Sequence, residues 1–366
     1  MKKNILIVDD DIYLRQMLGA TLKSLNYSFM EAGSVQECMD SIEDLYPDLV
    51  LMDINLGAED GFAALEKIKS LPKGNKIPVL MITATGNQEN YKKALFAGAE
   101  GFLPKPFQLP VLIDTLSRWS NAKVEEGWKK LDSNQEKVLT LTLATMQKVF
   151  SASESNQLLP YDEVKETCDF MTRIVSEEEI RTTLDSIKDH DSYTFVHSLR
   201  VAIYLVIFAR YKGFSKEKIS IVAQGGLLHD VGKIFTPVQV LNKPGRLDNV
   251  EWEIMREHVD RTVEILSRIP DLPHEIIEIA GNHHEKIAGN GYPRGVSGDK
   301  LSELSKMAAI VDAYVALTDR RVYKPGHPPE EALEMLRNPP GHLDIKLIEE
   351  FKVSIVTLDK LSPTLI

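Results

Sequence analysis

The sequence predicts a multidomain protein: an N-terminal α/β unit built on a doubly wound parallel sheet, then a helical connector, then an all-α unit. Three observations predict it. At 366 residues the chain exceeds what one hydrophobic core usually supports. Over the first 120 residues short β-branched runs alternate with amphipathic stretches, the pattern of parallel strands joined by crossover helices. From about residue 121 the strand-like runs stop and only helical periodicity remains. The expected boundaries are 1–120, 121–185 and 186–366.

In chain order, "NILIVDD" (4–10), "PDLVLMD" (47–53), "KIPVLMITAT" (76–85) and "AEGFLPKPF" (99–107) read as buried strands ending in polar or turn residues. "YSFMEA" (27–32) is a weaker strand. Between them, "DIYLRQMLGATLKSL" and "DGFAALEKIKSL" place apolar residues at three- and four-residue spacing, as helices do. "VEEGWKKLDSNQEKVLTLTLATMQKVF" is amphipathic and helical, and "SASESNQLLP" (151–160) is a polar break. The apolar stripe of that helical connector suggests a helix pair, which either forms a homodimer or packs on its own domain. Every later segment reads as helix, among them "TFVHSLRVAIYLVIFARYKG", "KISIVAQGGLLHDVGKI", "EWEIMREHVDRTVEILSRI" and "LSKMAAIVDAYVAL".

Composition narrows the function classes. Hydrophobic content of 43% and charged content of 27% describe an ordinary globular chain. A net charge of −11 argues against nonspecific binding to DNA or a membrane surface. The two cysteines, Cys38 and Cys168, form no metal-binding spacing and read as reduced, buried thiols. "MKKNILIVDDD" is too short and acidic for a signal peptide, and no later run is expected to reach the length of a membrane span. A cytoplasmic location follows as the expectation.

In the first unit, acids gather where strands end. Asp9 and Asp10 follow the first strand, Asp53 ends "PDLVLMD", Thr83 ends the apolar run of "KIPVLMITAT", and Lys105 follows the last strand. A parallel sheet brings these positions to one edge. Three carboxylates together repel one another unless a divalent cation is present, and an oxygen-rich cluster suits Mg²⁺. A hydroxyl and an ammonium beside it are suited to hold phosphoryl oxygens. With "IVDD", "LMDINLGAEDG", "ITAT" and "LPKPF" in place, residues 1–120 resemble the receiver domain of bacterial response regulators. The resemblance implies a flavodoxin-like sheet and a cognate sensor histidine kinase. It makes Asp53 the phosphoacceptor, with Asp9, Asp10, Asp53 and the Asn55 carbonyl around Mg²⁺. Thr83, Lys105 and the aromatic Phe102 become switch residues.

Five of the chain's nine histidines, His197, His229, His258, His283 and His284, fall in helical segments with ligand-type neighbours. Asp230 follows His229, and Asp312 interrupts an apolar helix, where a carboxylate is costly unless it is paired or coordinated. Five imidazoles and two carboxylates nearly complete two octahedral shells if Asp230 bridges them. Without thiolates, such a set suits Fe or Mn, or a catalytic Zn or Ni. Two divalent ions generate hydroxide at neutral pH and favour a phosphodiester. His190, His274, His327 and His342 read as ordinary histidines.

The ordered stretches "LLHDVGKI", "VLNKPGRL", "EWEIMREH", "NHHEKIAGNGYPRGV", "AAIVDAYVALTDRRVY" and "GHLD" resemble the HD-GYP family over roughly 185–355. These are bacterial cyclic di-GMP phosphodiesterases of the HD superfamily of metal-dependent phosphohydrolases. The resemblance implies one metal on His197, His229, Asp230 and Asp312, and a second on Asp230, His258, His283 and His284. It gives Asp230 and Lys233 catalytic roles, Lys233 reaching a substrate phosphate. Tyr292 would stack on or hydrogen-bond the substrate, and Arg294 and Arg321, with Arg200 a weaker third, would contact phosphate. Three departures stand out: Ala288, Val315 and Arg320 replace acids common in the family. Tyr193 stands where trinuclear members carry Glu, so two metals are expected rather than three.

Together the two resemblances imply a response regulator that hydrolyses cyclic di-GMP to pGpG, GMP or both by a bridging hydroxide, under control of Asp53 phosphorylation. Ala288 and Val315 keep a second reading open: a weakly active module that binds a cyclic dinucleotide and recruits a partner, such as a GGDEF-type protein, through its "GYP" loop. A third reading is hydrolysis of another nucleotide.

Overall fold

The computed structural model describes residues 3–24, 27–57, 59–83, 93–94, 96–107, 112, 115–116, 121, 124–174, 177–187, 193–241, 243, 245–319 and 326–360. They divide into two compact units, Met1–Leu116 and Ser117–Ile366.

The first unit holds strands β1 (Asn4–Val8), β2 (Ser28–Ala32), β3 (Leu49–Asp53), β4 (Asn55–Leu56), β5 (Glu59–Asp60), β6 (Val79–Thr83) and β7 (Gly101–Pro104). Five of them form a parallel sheet in the order β2-β1-β3-β6-β7, while β4 and β5 make a small antiparallel ladder that the sequence pattern did not signal. β3 and β6 are buried along their whole length, and β1 nearly so, because helices cover both faces and leave no solvent side to carry polar residues. β2 pairs only with β1 and is half-buried, which is why its pattern reads weaker. Helices α1 (Ile12–Ser24), α2 (Val35–Leu45) and α3 (Gly61–Ser70) join the strands. Ser34 and Asp60 cap α2 and α3 by accepting from the Glu37 and Phe62 amides, which satisfies donors the helix leaves open. The strand order reverses between β1 and β3, so their C-terminal ends open on the crevice where such sheets bind ligands. Gly61 is required there: a Cβ would lie 2.1 Å from the Asp53 carbonyl oxygen.

The second unit is helical: α4 (Ser133–Glu154), α5 (Tyr161–Ile174), α6 (Glu177–Ser186), α7 (Tyr193–Tyr211), α8 (Lys216–Leu228), α9 (Val238–Leu241), α10 (Asn249–Leu266), α11 (His274–Asn282), α12 (Glu303–Thr318), α13 (Pro329–Met335) and α14 (Ile345–Lys360). A capping box of Asp132 and Gln135 starts α4. Trp128, Leu139, Met146 and Cys168 share one core with Leu199, Phe208, Leu228, Ile310, Tyr314 and Phe351. The apolar stripe of the connector is therefore covered within the chain. The expectation that no run reaches membrane-span length is corrected. Thr194–Tyr211 is long and apolar enough by composition, but 72% of it is buried and it carries His197, so it is a core helix.

Candidate functional site

In the first unit the crevice gathers the strand-end acids. Asp9 and Asp53 are only 1% and 6% exposed, Asp10 is exposed, and one carboxylate oxygen from each lies within 4.8 Å of the others. Lys105 bridges the two buried acids, its Nζ donating to Asp9 Oδ2 and Asp53 Oδ2 at 2.7 Å each. Burial pushes the Asp9 carboxyl up despite Lys105. Burial also works against the Lys105 ammonium, but its bonds to Asp53 and Asp9 outweigh this and raise it. Asp53 Oδ1 is buried with no hydrogen-bond partner among the described residues, an oxygen left open for a cation or a phosphoryl group. Asn55 lies two residues on in β4, Thr83 is buried at the end of β6, and Phe102 is half-buried against the unit's core.

In the second unit two helix C-termini, one 3-10 turn and three helix interiors converge. His229 and His283 sit at the C-caps of α8 and α11, and His284 follows. Asp230 precedes the 3-10 turn Val231–Phe235, which carries Lys233. His197, His258 and Asp312 project from α7, α10 and α12. Asp230 is the centre: its Oδ1 lies 3.3 Å from His258 Nε2 and 3.7 Å from His283 Nε2, and its Oδ2 lies 3.2 Å from His229 Nε2 and 3.6 Å from His197 Nε2. Asp312 Oδ1 meets His197 Nε2 at 2.9 Å, and Oδ2 lies 3.7 Å from His284 Nδ1. Lys233 donates to Asp230 Oδ2.

Local structure sets the ring orientations. The Nδ1 atoms of His229, His258 and His283 bond the carbonyls of Gly226, Met255 and Ala280, each three residues back. A carbonyl only accepts, so Nδ1 carries the proton and Nε2 presents a lone pair inward. Those three Nε2 atoms and Asp230 Oδ1 are buried with no hydrogen-bond partner among the described residues. Four converging orphan acceptors are costly unless a cation satisfies them. The electrostatics agree. Burial disfavours charge on His229, but Asp230 and Asp312 overcome it and push the imidazole up to about 10. His197 is raised against burial by Asp312 and Asp319. His197, His229 and Asp312 form one ligand group, His258, His283 and His284 another, and His229, Asp230 and His283 a third between them. The residues present thus fit a pair of divalent ions.

The turn below is locked to α10. Gly232 donates to Thr262 Oγ1 at 2.9 Å, and Thr262 donates to the His258 carbonyl at 2.8 Å. A Cβ on Gly232 would lie 2.2 Å from that carbonyl oxygen.

Comparison with known proteins agrees with both units. Residues 5–117 match the response regulator receiver domain and residues 181–347 match the HD domain. The chain is 30% identical over 342 residues to a "Cyclic di-GMP phosphodiesterase" of Thermotoga maritima, covering 93% of this chain and 86% of that one. The chain belongs to the response regulators that join a receiver domain to an HD domain. Xanthomonas campestris pv. campestris has a similar protein, "Cyclic di-GMP phosphodiesterase response regulator RpfG", 28% identical over 93% of this regulator and 84% of that chain. The solved structure of Bd1817, an HDG"Y"P protein from Bdellovibrio bacteriovorus, shares the fold at a TM-score of 0.53 and 16% identity, over 75% of this chain and 81% of that one.

In this regulator Tyr292 stacks on His284 with ring centroids 4.6 Å apart, and Trp252, 45% exposed, meets Tyr292 edge-on at 5.9 Å. Arg256 lies over the Tyr292 ring at 5.0 Å. Trp252 and Arg256 were not singled out from the sequence. Two of the arginines expected at phosphate, Arg294 and Arg200, are engaged elsewhere. Arg294 donates to Asn282 Oδ1 at 2.5 Å and Gly281 O at 3.3 Å, and Arg200 holds Asp319 and Thr318. Arg321 and Arg320 lie outside the described residues, as does the side chain of Tyr193. Two buried acids were missed. Glu285 accepts from the Arg294 and Val296 amides at 2.8 and 3.0 Å and so ties the glycine-rich loop to the histidine pair. Asp319 meets His197. Ala288 donates its N–H to the Gly341 carbonyl at 2.9 Å, and neither it nor Val315 displaces a member of the ligand groups. His274, His327 and His342 stand apart from those groups, and His190 lies outside the described residues.

Proposed function

We propose that this regulator hydrolyses cyclic di-GMP to the linear dinucleotide pGpG, to GMP or to both at its HD unit, in the cytoplasm, with Asp53 phosphorylation as the control. The observation that carries the reading is the convergence of His229 Nε2, His258 Nε2, His283 Nε2 and Asp230 Oδ1 without partners in a buried site. His197, His229, Asp230 and Asp312 would hold one metal, and Asp230, His258, His283 and His284 the other. Imidazole and carboxylate donors without thiolate favour Fe or Mn. When bound, two such ions activate water at neutral pH and offset the charge that builds on phosphorus.

The chain's own groups do the rest. Asp230 faces both ligand groups and fixes their spacing. Lys233, held by Asp230, places an ammonium where a non-bridging phosphate oxygen needs a counter-charge. Tyr292 and Trp252 offer ring faces and edges to a guanine base beside the metals. In the reaction a water oxygen bonds to phosphorus, the P–O3′ bond breaks, and the departing oxygen takes a proton. Arg321 is assigned a phosphate contact by resemblance alone, whereas the engagement of Arg294 and Arg200 elsewhere makes them supports.

In the receiver, Asp53 Oδ1 is the phosphoacceptor atom, and Asp9, Asp10, Asp53 and the Asn55 carbonyl would hold Mg²⁺. Thr83 and Lys105 would take phosphoryl oxygens, and a sensor histidine kinase is the donor. Phosphorylation requires Lys105 to exchange a carboxylate for the phosphoryl group, with Phe102 following.

The test is turnover of cyclic di-GMP by anaerobically purified protein supplied with Fe²⁺ or Mn²⁺, read by chromatography beside Asp230→Ala. pGpG or GMP that disappears in the variant supports the proposal. Intact cyclic di-GMP at verified two-metal occupancy would sink it, and leave a cyclic-dinucleotide-binding module that presents the Gly291–Pro293 loop to a partner such as a GGDEF-type protein. Competition by a hybrid cyclic dinucleotide or a dNTP identifies another substrate.

A further inference from the structure

Of the four buried imidazoles at the site, His197 is oriented in a different way from the others. Its Nε2 meets Asp312 Oδ1 at 2.9 Å, and its Nδ1 meets Asp319 Oδ2 at 3.1 Å. Both carboxylates come from α12 and its C-cap, seven residues or about two turns apart, so one face of one helix grips both ends of the ring. Asp319 is 5% exposed, and its own position is set twice over. Its amide donates to the Val315 carbonyl at 2.7 Å, and its Oδ1 accepts from Arg200, one turn past His197 on α7. Arg200 also donates to Thr318 Oγ1 at 3.1 Å.

We infer that Asp319 is a positioning residue for the metal site: with Arg200 it holds His197 in the Nδ1–H tautomer and makes its Nε2 a stronger donor. A charged acceptor behind an imidazole raises its basicity more than a carbonyl does. Val315, buried and apolar on the same helix, offers no such group, and Asp319 supplies it. The inference rests on the two-metal reading above.

The experiment titrates metal-free protein with Mn²⁺ and counts bound ions by equilibrium dialysis. With excess Mg²⁺ present to fill the receiver crevice, wild-type protein should take two Mn²⁺ equivalents, both at the helical site. Asp319→Ala should weaken one of them about 100-fold and Asp319→Asn about 10-fold, the span typical for outer-shell partners, while the other equivalent holds within about twofold. His197→Ala serves as the control. If it leaves both equivalents intact, the two-metal reading fails. If it removes one while Asp319→Asn keeps both within about twofold of wild type, the role of Asp319 is overturned. The Asn variant keeps the shape of the side chain and decides the matter even if the Ala variant does not fold. A merely structural Asp319 would lower the melting temperature of the metal-free Asn variant without changing its Mn²⁺ binding.

Discussion

The receiver crevice and the helical site both set acids against a lysine, but they differ in how complete they are without a cation. Lys105 bridges Asp9 and Asp53, so two buried carboxylates already share a counter-charge. Lys233 donates to Asp230 Oδ2, and among the described residues Asp230 Oδ1 and three imidazole nitrogens are left without a hydrogen-bond partner. The first arrangement suits a cation that comes and goes with a phosphoryl group. The second suits ions that stay. Ligand chemistry follows the same division: exchangeable oxygen donors on strand ends, and mostly nitrogen donors on rigid helices.

The largest effect expected from this contrast is at Asp230. Asp230→Ala should cut phosphodiesterase activity on the order of 10³-fold and strip bound metal, measured by turnover and elemental analysis; retained metal would break the contrast. Next, Lys105→Met should leave two buried acids without their counter-charge. It should destabilise the receiver by roughly 3–5 kcal/mol, in denaturant melts, with Mg²⁺ restoring part of the loss. A variant as stable as wild type without Mg²⁺ would show that Lys105 is not what completes the crevice.

Metal removal should act on one unit only. A chelator should cost the helical unit about 2.7 kcal/mol for ions held at a hundredfold excess over their dissociation constant and leave the receiver nearly unchanged. The two thiols report this separately. Cys38 lies in the receiver core with its thiol pushed up to about 12 by burial, and Cys168, also pushed up by burial, lies in the helical core. Neither should react with a thiol reagent in the native protein. On heating with chelator, Cys168 should become reactive earlier than it does with metal bound, while Cys38 keeps its temperature. The smallest effect is at Asp53. Asp53→Asn should abolish phosphorylation by acetyl phosphate and leave the HD unit's metal content unchanged; altered metal content would mean that the receiver acts on the site by some route other than Asp53 chemistry.

What could be read from the sequence follows from what folding leaves local. Strand-end acids show because they interrupt buried apolar runs, and the histidines show as a set because imidazoles are poor core material. Glu285 and Asp319 did not show. An acid beside a histidine pair, or just past a helix, reads as solvated until its burial is known. Residue type indicated Arg200 and Arg294, but a long flexible side chain does not disclose its aim, and both turned to acceptors inside the fold. The β4–β5 ladder was missed because its strands span two residues each, too short for any alternation to register. α7 misleads by composition alone, since a helix buried on most sides needs apolar residues around most of its circumference.

The backbone carbonyls that orient His229, His258 and His283 have an implication for order of assembly. Each of those rings takes its proton placement from a residue three positions away, so it is set as soon as its own helix end forms. His197 must wait for Asp319, 122 positions along the chain, and contacts that distant close late in a folding chain. The first ligand to leave the ribosome is thus the last to become competent. A chain cut short before Asp319 would present three finished imidazoles and a fourth with no fixed tautomer.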